Sequence, residues 1–167
     1  MQKLSLDTIS SHKGRRAIIT GANDGLGYET TKFFVSKGIA VTMACRNEEK
    51  AIKAKDKLLL EFPEAELSIQ LIDLKSLNSV RDFAKNYKLQ HNKLDILVNN
   101  AGIMIPPYEL TEDGFESQMG VNYFSHFLLT SLLIDLLDKS TDGRVISLSS
   151  IAHKSGKINF ENLNFKG

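Results

Sequence analysis

Three glycines within one short stretch give this sequence its plainest chemical handle. Residues 20–27 run Thr20, Gly21, Ala22, Asn23, Asp24, Gly25, Leu26, Gly27, directly after a short β-branched run and at the start of a helical pattern. Glycine adopts backbone angles closed to other residues, and its missing Cβ lets main-chain N–H groups and a helix N-terminus approach a pyrophosphate. The same spacing also makes a tight turn that holds nothing. A phosphate-binding P-loop needs Gly-Lys-Ser/Thr, which is absent, so nucleoside triphosphate hydrolysis loses its main support. Ser150, His153 and Asp142 supply the residue types of a hydrolase triad, but no Gly-x-Ser-x-Gly elbow surrounds the serine. The four histidines (His12, His91, His126, His153) and the single Cys45 show no metal-ligand spacing, so no metal site is expected.

The elements that must position the glycine loop alternate. Residues 17–20 (AIIT), 40–44 (AVTMA), 67–72 (LSIQLI), 94–98 (LDILV) and 144–148 (RVISL) read as five strands. Between them, Leu26, Thr30, Phe33, Phe34 and Lys37 stripe a first helix ended by Gly38. Ala51, Ala54, Leu58 and Phe62 stripe a second, stopped by Pro63. Val80, Phe83, Ala84 and Tyr87 mark a third, and Phe115, Met119, Phe127, Leu128, Leu132 and Leu136 a long fourth. Strand and helix alternating at this spacing imply right-handed crossovers, hence an α/β fold: a doubly wound parallel sheet with helices on both faces. The near-continuous apolar strands suit a sheet buried on both sides. Neither an internal repeat nor a low-complexity linker interrupts the pattern, and Pro106 and Pro107 read as a turn inside one domain over residues 1–167.

Composition bounds the partners. Of 167 residues, 42% are hydrophobic and 25% charged, with 21 Lys plus Arg against 20 Asp plus Glu. That balance gives no electrostatic footprint for nucleic acid. A lone cysteine cannot close an intrachain disulfide, which suits a reducing compartment. Residues 1–13 lack the apolar core of a signal peptide, and no run of 18 or more apolar residues occurs, so a cytoplasmic protein without a membrane span is expected.

A second motif narrows the field. Residues 95–102 read DILVNNAG, and together with TGANDGLG at 20–27 they resemble the short-chain dehydrogenase/reductase family, in which the two motifs occur in this order. Asp73 and Leu74 match the family's acidic-apolar pair at adenine, Asn122 its helix asparagine, and Ser149-Ser150 its serine position. MACRN at 43–47, HFLLT at 126–130 and SSIAH at 149–153 look most like the retinol dehydrogenase and WW-domain oxidoreductase branch. The resemblance implies a Rossmann-type fold and hydride transfer between a nicotinamide ring and a small-molecule carbonyl or alcohol carbon, such as a retinoid or aldehyde. It places Gly21, Asn23, Gly25, Leu26 and Gly27 at the pyrophosphate, Asp24 among the cofactor-binding residues beside them, and Asn100, Ala101 and Gly102 at the adenosine ribose. Asn99 and Asn100 have a second use, since asparagines also cap helices and pin neighbouring strands.

An acidic residue at the end of the second strand would bond the ribose 2′-hydroxyl and repel a 2′-phosphate. Cys45 and Arg46 stand there instead, which favours NADP over NAD, although Arg46 also suits a solvated helix start. Asp24 runs against that preference. For the chemical step the resemblance assigns Ser150 to the substrate oxygen and Asn122 to a helix distortion with a water of the proton relay. Ser150 has the alternative of simply ending the fifth strand. The family's proton donor is a tyrosine with a lysine four residues later. Residues 154–167 (KSGKINFENLNFKG) contain no tyrosine. The pair is therefore expected beyond Gly167, the chain is expected to be the N-terminal part of the fold, and turnover by it alone is expected to be impaired. Tyr28 and Lys32 have the right spacing but lie on the first helix, far in sequence from Ser150. A non-catalytic nucleotide-binding or interaction module is the alternative. Self-association through the apolar helix at 115–137 is expected to cover an exposed face.

Overall fold

A computed structural model describes residues 10–165. The reading of residues 1–9 as lacking a signal peptide lies outside the described residues, as do residues 166 and 167. The strands are β1 (Arg16–Thr20), β2 (Ala40–Cys45), β3 (Leu67–Leu71), β4 (Ile96–Asn99) and β5 (Arg144–Ser147), all parallel, in the order β3-β2-β1-β4-β5. The sheet is doubly wound, with the strand order reversing between β1 and β4, where such folds open a crevice beyond the strand ends. Thr20 stands opposite Ala44, and Ile19 opposite Val98, so the carboxyl ends of the three central strands lie level.

Side-chain alternation along the strands divides the core. Ala17 and Ile19 face the layer of α1 (Gly25–Ser36) and α2 (Glu48–Glu61), while Ile18 faces α3 (Leu77–Gln90) and α4 (Ser125–Leu137). On α4, Leu129, Leu133, Leu136 and Leu137 are buried against the sheet and α3. Each fully buried leucine contributes about 1.5–3 kcal/mol of transfer free energy. Gly38, at φ +76°, ends α1: its N–H reaches Val35 O while the Ile39 N–H turns back to Phe34 O. Asn47 caps α2 by accepting from Lys50 N at 2.8 Å, and α2 closes at Phe62, before Pro63.

The structure departs from the sequence reading at three places. The fourth strand begins at Ile96 rather than 94, although the Asp95 backbone still bonds both neighbours, its N–H donating to Arg16 O and its C=O accepting from Arg144 N, while its carboxylate accepts from Arg16 N, Ser140 Oγ and Lys93 Nζ. The fourth helix opens at residues 117–118 and passes at once into a π-helical segment, Met119–Phe124, before α4. Phe115, expected at its start, lies outside it. Its first turn is capped by the buried Glu116, whose two carboxylate oxygens accept from Gln118 N and Met119 N. Finally, β5 is exposed on both faces despite its apolar sequence: among the described residues it pairs with β4 and is covered no further. One described helix, Met119–Leu137, is long and apolar enough by composition to cross a membrane, although polar residues interrupt it. It packs its leucines into the core like the central helix of a globular layer.

Candidate active site

At the β1–β4 crevice lies an open cleft of about 550 Å³. Ten of the twelve residues expected at a cofactor line it: Gly21, Asn23, Asp24, Gly25, Arg46, Asp73, Leu74, Asn100, Ala101 and Gly102. The backbone of the glycine loop explains its composition. Gly21 has φ +66°, and a Cβ there would come within 3.2 Å of Ala101. Gly25, at φ +51° on the first turn of α1, meets nothing within 4 Å, so the helix N-terminus faces open space. Gly27 is buried behind the loop, where an added Cβ would lie 2.2 Å from Gly21 O and 2.6 Å from Asn100 Nδ2. It contributes close packing of helix on strand rather than a wall of the cleft. Leu26 also stays off the wall, with 66% of its surface in solvent.

Thr20 joins the two motifs. Its buried Oγ1 accepts from Asn100 N and Ala101 N, both at 2.9 Å, and Asn100 Nδ2 donates to Thr20 O at 2.8 Å. The asparagine thus pins β4 to β1 and at the same time lines the cleft, so its two readings coexist. The motif alone assigns Thr20 no task, because a hydroxyl's partners are set by chain segments far away in sequence.

Charge at the cleft is unevenly placed. Where β2 ends, Arg46, Asn47 and Lys50 form one wall, with Asp73 and Lys75 nearby. Lys50 and Asn47 escaped the sequence reading, although Lys50 lies one helical turn beyond Arg46. Burial pushes the Cys45 thiol up to about 11, against the pull of bonds from Ala22 and Asn23 backbone, so the end of β2 carries no anion. Asp73 turns inward along the chain, accepting from Lys75 N at 2.9 Å. Asp24 spends one carboxylate oxygen on Gly25 N at 2.8 Å, capping α1 with its own anion at the mouth of the cleft. The N–H groups of the next residues of that first turn still lack intrahelical acceptors.

Asn122 sits in the π-helical segment, as the resemblance required of a helix distortion. Ser125 N reaches back five residues to Gly120 O. The Asn122 amide clamps Ile103, with Oδ1 accepting from Ile103 N and Nδ2 donating to Ile103 O, both at 2.9 Å. Ile103 lines the cleft, while Asn122 lines a second cavity of about 580 Å³ between α4 and β5. Asn99 also borders that cavity; its Nδ2 donates to Thr130 Oγ1 at 3.0 Å, and its buried Oδ1 has no partner among the described residues.

Ser150 is not brought to either cavity. It is exposed and caps a 3₁₀ helix, Ile151–Ser155, by accepting from Ala152 N. The hydrolase arrangement is absent: His153 Nδ1 meets Ser150 O rather than its hydroxyl, and Asp142 pairs with Arg15 and Arg144. Tyr28 and Lys32 serve the α1–α2 contact instead of chemistry, with Lys57 Nζ 5.4 Å from the Tyr28 ring centre and Lys32 paired with Glu61 at 2.8 Å.

A parallel 3-2-1-4-5 sheet with a glycine loop at its switch point defines a dinucleotide-binding architecture. The short chain dehydrogenase family profile matches residues 15–162, and the chain belongs to that family. Mouse retinol dehydrogenase 13 is 45% identical over 153 residues, covering 92% of this chain and 46% of the relative. Human retinol dehydrogenase 12 is 41% identical over 150 residues, covering 90% and 48%. The chain thus spans about half the length of the curated relatives it matches. Among solved structures, an uncharacterised protein from Mycobacterium paratuberculosis superposes with a TM-score of 0.84 at 41% identity, covering 98% of this chain and 56% of the other. A short chain dehydrogenase from Escherichia coli complexed with NADPH has a TM-score of 0.76 at 27% identity, covering 93% and 65%.

Proposed function

We propose that this chain forms the cofactor-binding part of an NADP-dependent oxidoreductase that moves hydride between a nicotinamide ring and a carbonyl or alcohol carbon. The observation that carries the reading is the cleft wall made by Arg46 and Lys50, beside a β2 end without a carboxylate. The residues present fit the group. Gly21 and Gly25 leave the cradle free of side chains, and the open N-terminus of α1 offers backbone donors to a pyrophosphate. A guanidinium and an ammonium at the far wall suit a 2′-phosphate. A nicotinamide dinucleotide, when bound, supplies or accepts the hydride.

The chain's own residues position and shield. Asn100 and Ala101 fix the central wall through Thr20, Ile72 and Leu74 give adenine an apolar shelf, and Asn122 holds Ile103 against the cleft. Ser150 takes the substrate oxygen only after its loop turns from its cap toward the α4–β5 cavity. The retinol dehydrogenase relatives support a retinoid or related aldehyde as substrate class. The Escherichia coli neighbour's NADPH supports the cofactor class.

Titrating NADPH and NADH against the chain by fluorescence tests this. Tighter binding of NADPH is expected, and equal affinity for both would refute the cofactor assignment. A longer chain that supplies a tyrosine with a lysine four residues later is expected to oxidise NADPH with an aldehyde. A second reading, a non-catalytic nucleotide-binding or interaction module, is favoured by the exposed, capping position of Ser150. NADPH binding without turnover in the extended chain would select it.

A further inference from the structure

His126 is 5% exposed and used by none of the roles above. Its Nε2 lies 2.9 Å from Thr20 Oγ1 and its Nδ1 3.2 Å from Asn122 O. Counting bonds at the threonine fixes the ring's protonation. A hydroxyl oxygen has two lone pairs and one proton. Both lone pairs of Thr20 Oγ1 are taken by Asn100 N and Ala101 N. A third donor has nowhere to bond, so Nε2 must accept the hydroxyl proton, for which Val98 O at 3.4 Å is the poorer acceptor. The ring proton then sits on Nδ1 and is given to Asn122 O. Burial, which outweighs the Asn122 bond, holds the imidazole below its ordinary pKa and agrees with a neutral ring.

The bonds close into a circuit. Thr20 holds Ala101 of the cleft floor, two residues on Ile103 is clamped by the Asn122 amide, Asn122 O receives His126, and His126 returns to Thr20. We propose that His126 is a positioning residue: as the neutral Nδ1–H tautomer it couples the floor of the nucleotide cleft to the π-helical turn that carries Asn122. Only the consequence for cofactor affinity rests on the proposed function.

The test begins with the 167-residue chain labelled with ¹⁵N-histidine. Long-range ¹H–¹⁵N correlation is expected to show a protonated Nδ1 and a bare Nε2 at His126, and the opposite tautomer would overturn the proposal even if every variant failed to fold. Two substitutions then separate the bonds. His126→Asn places an amide donor where Nδ1 stood and leaves the Thr20 hydroxyl only the more distant Val98 O as acceptor; His126→Gln places an acceptor near Nε2 and abandons Asn122. Loss of one neutral hydrogen bond is worth about five-fold. His126→Asn is expected to weaken NADPH about that much while the hydrogen-exchange rate of the Asn122 side-chain amide stays at its wild-type value. His126→Gln should keep the affinity and speed that exchange. A residue that merely fills space would move both readouts together in both variants, and that result overturns the coupling. If the wild-type chain binds no NADPH, the nucleotide reading fails, and the tautomer and amide exchange still decide the role of His126.

Discussion

Gly27→Ala should destabilise the fold although it places the better helix former in a helix. The new Cβ would lie 2.2 Å from Gly21 O, 2.8 Å from Gly21 C and 2.6 Å from Asn100 Nδ2. Nonbonded carbon contacts want about 3.5 Å, so α1 and the glycine turn must part by roughly 1 Å. Backbone resists that more than a flexible side chain does, and overpacking of this kind costs about 1–3 kcal/mol. Displacing Asn100 also strains its bond to Thr20 O, worth about 1 kcal/mol. Helix propensity returns at most about 1 kcal/mol. The net loss is about 2 kcal/mol, which at a urea slope of about 2 kcal/mol/M lowers the unfolding midpoint by roughly 1 M. Urea melts followed by circular dichroism measure it. Gly25→Ala is the comparison: its Cβ meets open space, and only its left-handed backbone at φ +51° costs about 1 kcal/mol. A Gly27→Ala midpoint at or above wild type, or a Gly25→Ala loss larger than that of Gly27→Ala, would refute the packing argument.

Other perturbations separate the site from its scaffold. Arg46→Ala with Lys50→Ala should weaken NADPH at least ten-fold and NADH little, read by fluorescence titration. Asp24→Asn removes an anion from the cleft mouth and should tighten NADPH a few-fold by the same titration, at slight cost to the α1 cap. Burial raises the Asp95 carboxyl, but bonds from Ser140, Arg16 N and Lys93 outweigh it and hold the group below its ordinary pKa. Its stabilisation is therefore present above the unfolded value of about 3.9 and is lost as pH falls through the lower folded one. Asp95→Asn should cost about 2 kcal/mol at pH 7 and flatten that acid limb in melts across pH. Self-association through Phe127, Ile134 and Val145, all exposed beside the α4–β5 cavity, should give a sedimentation coefficient that rises with concentration and falls in Phe127→Glu.

Local signals made much of the fold legible. Gly38 and Pro63 closed their helices where the backbone angle and the ring required, and the β-branched runs became five parallel strands within two residues of their expected ends. The glycine loop and the asparagines of β4 announced the cleft because their use depends on backbone shape that each residue type restricts by itself. The start of the fourth helix was not legible, since Phe115 continues its apolar spacing and only the Glu116 carboxylate, accepting from Gln118 N and Met119 N, marks where it begins. The expected exposed apolar face lies at β5, whose residues by themselves look like those of any buried parallel strand.

The sequence by itself determined the order of the elements, the turn that opens the cleft, and which residues could meet a phosphate. Tertiary structure decided which of them line the cleft. It moved Gly27 and Leu26 off the wall and added Lys50 to it. It gave Thr20 and His126 a shared proton that no motif announces, and it left Ser150 capping a turn. The division follows from range. Backbone preference acts within a few residues and is written in them, whereas a hydrogen-bond partner on another strand or helix exists only after the chain has closed on itself.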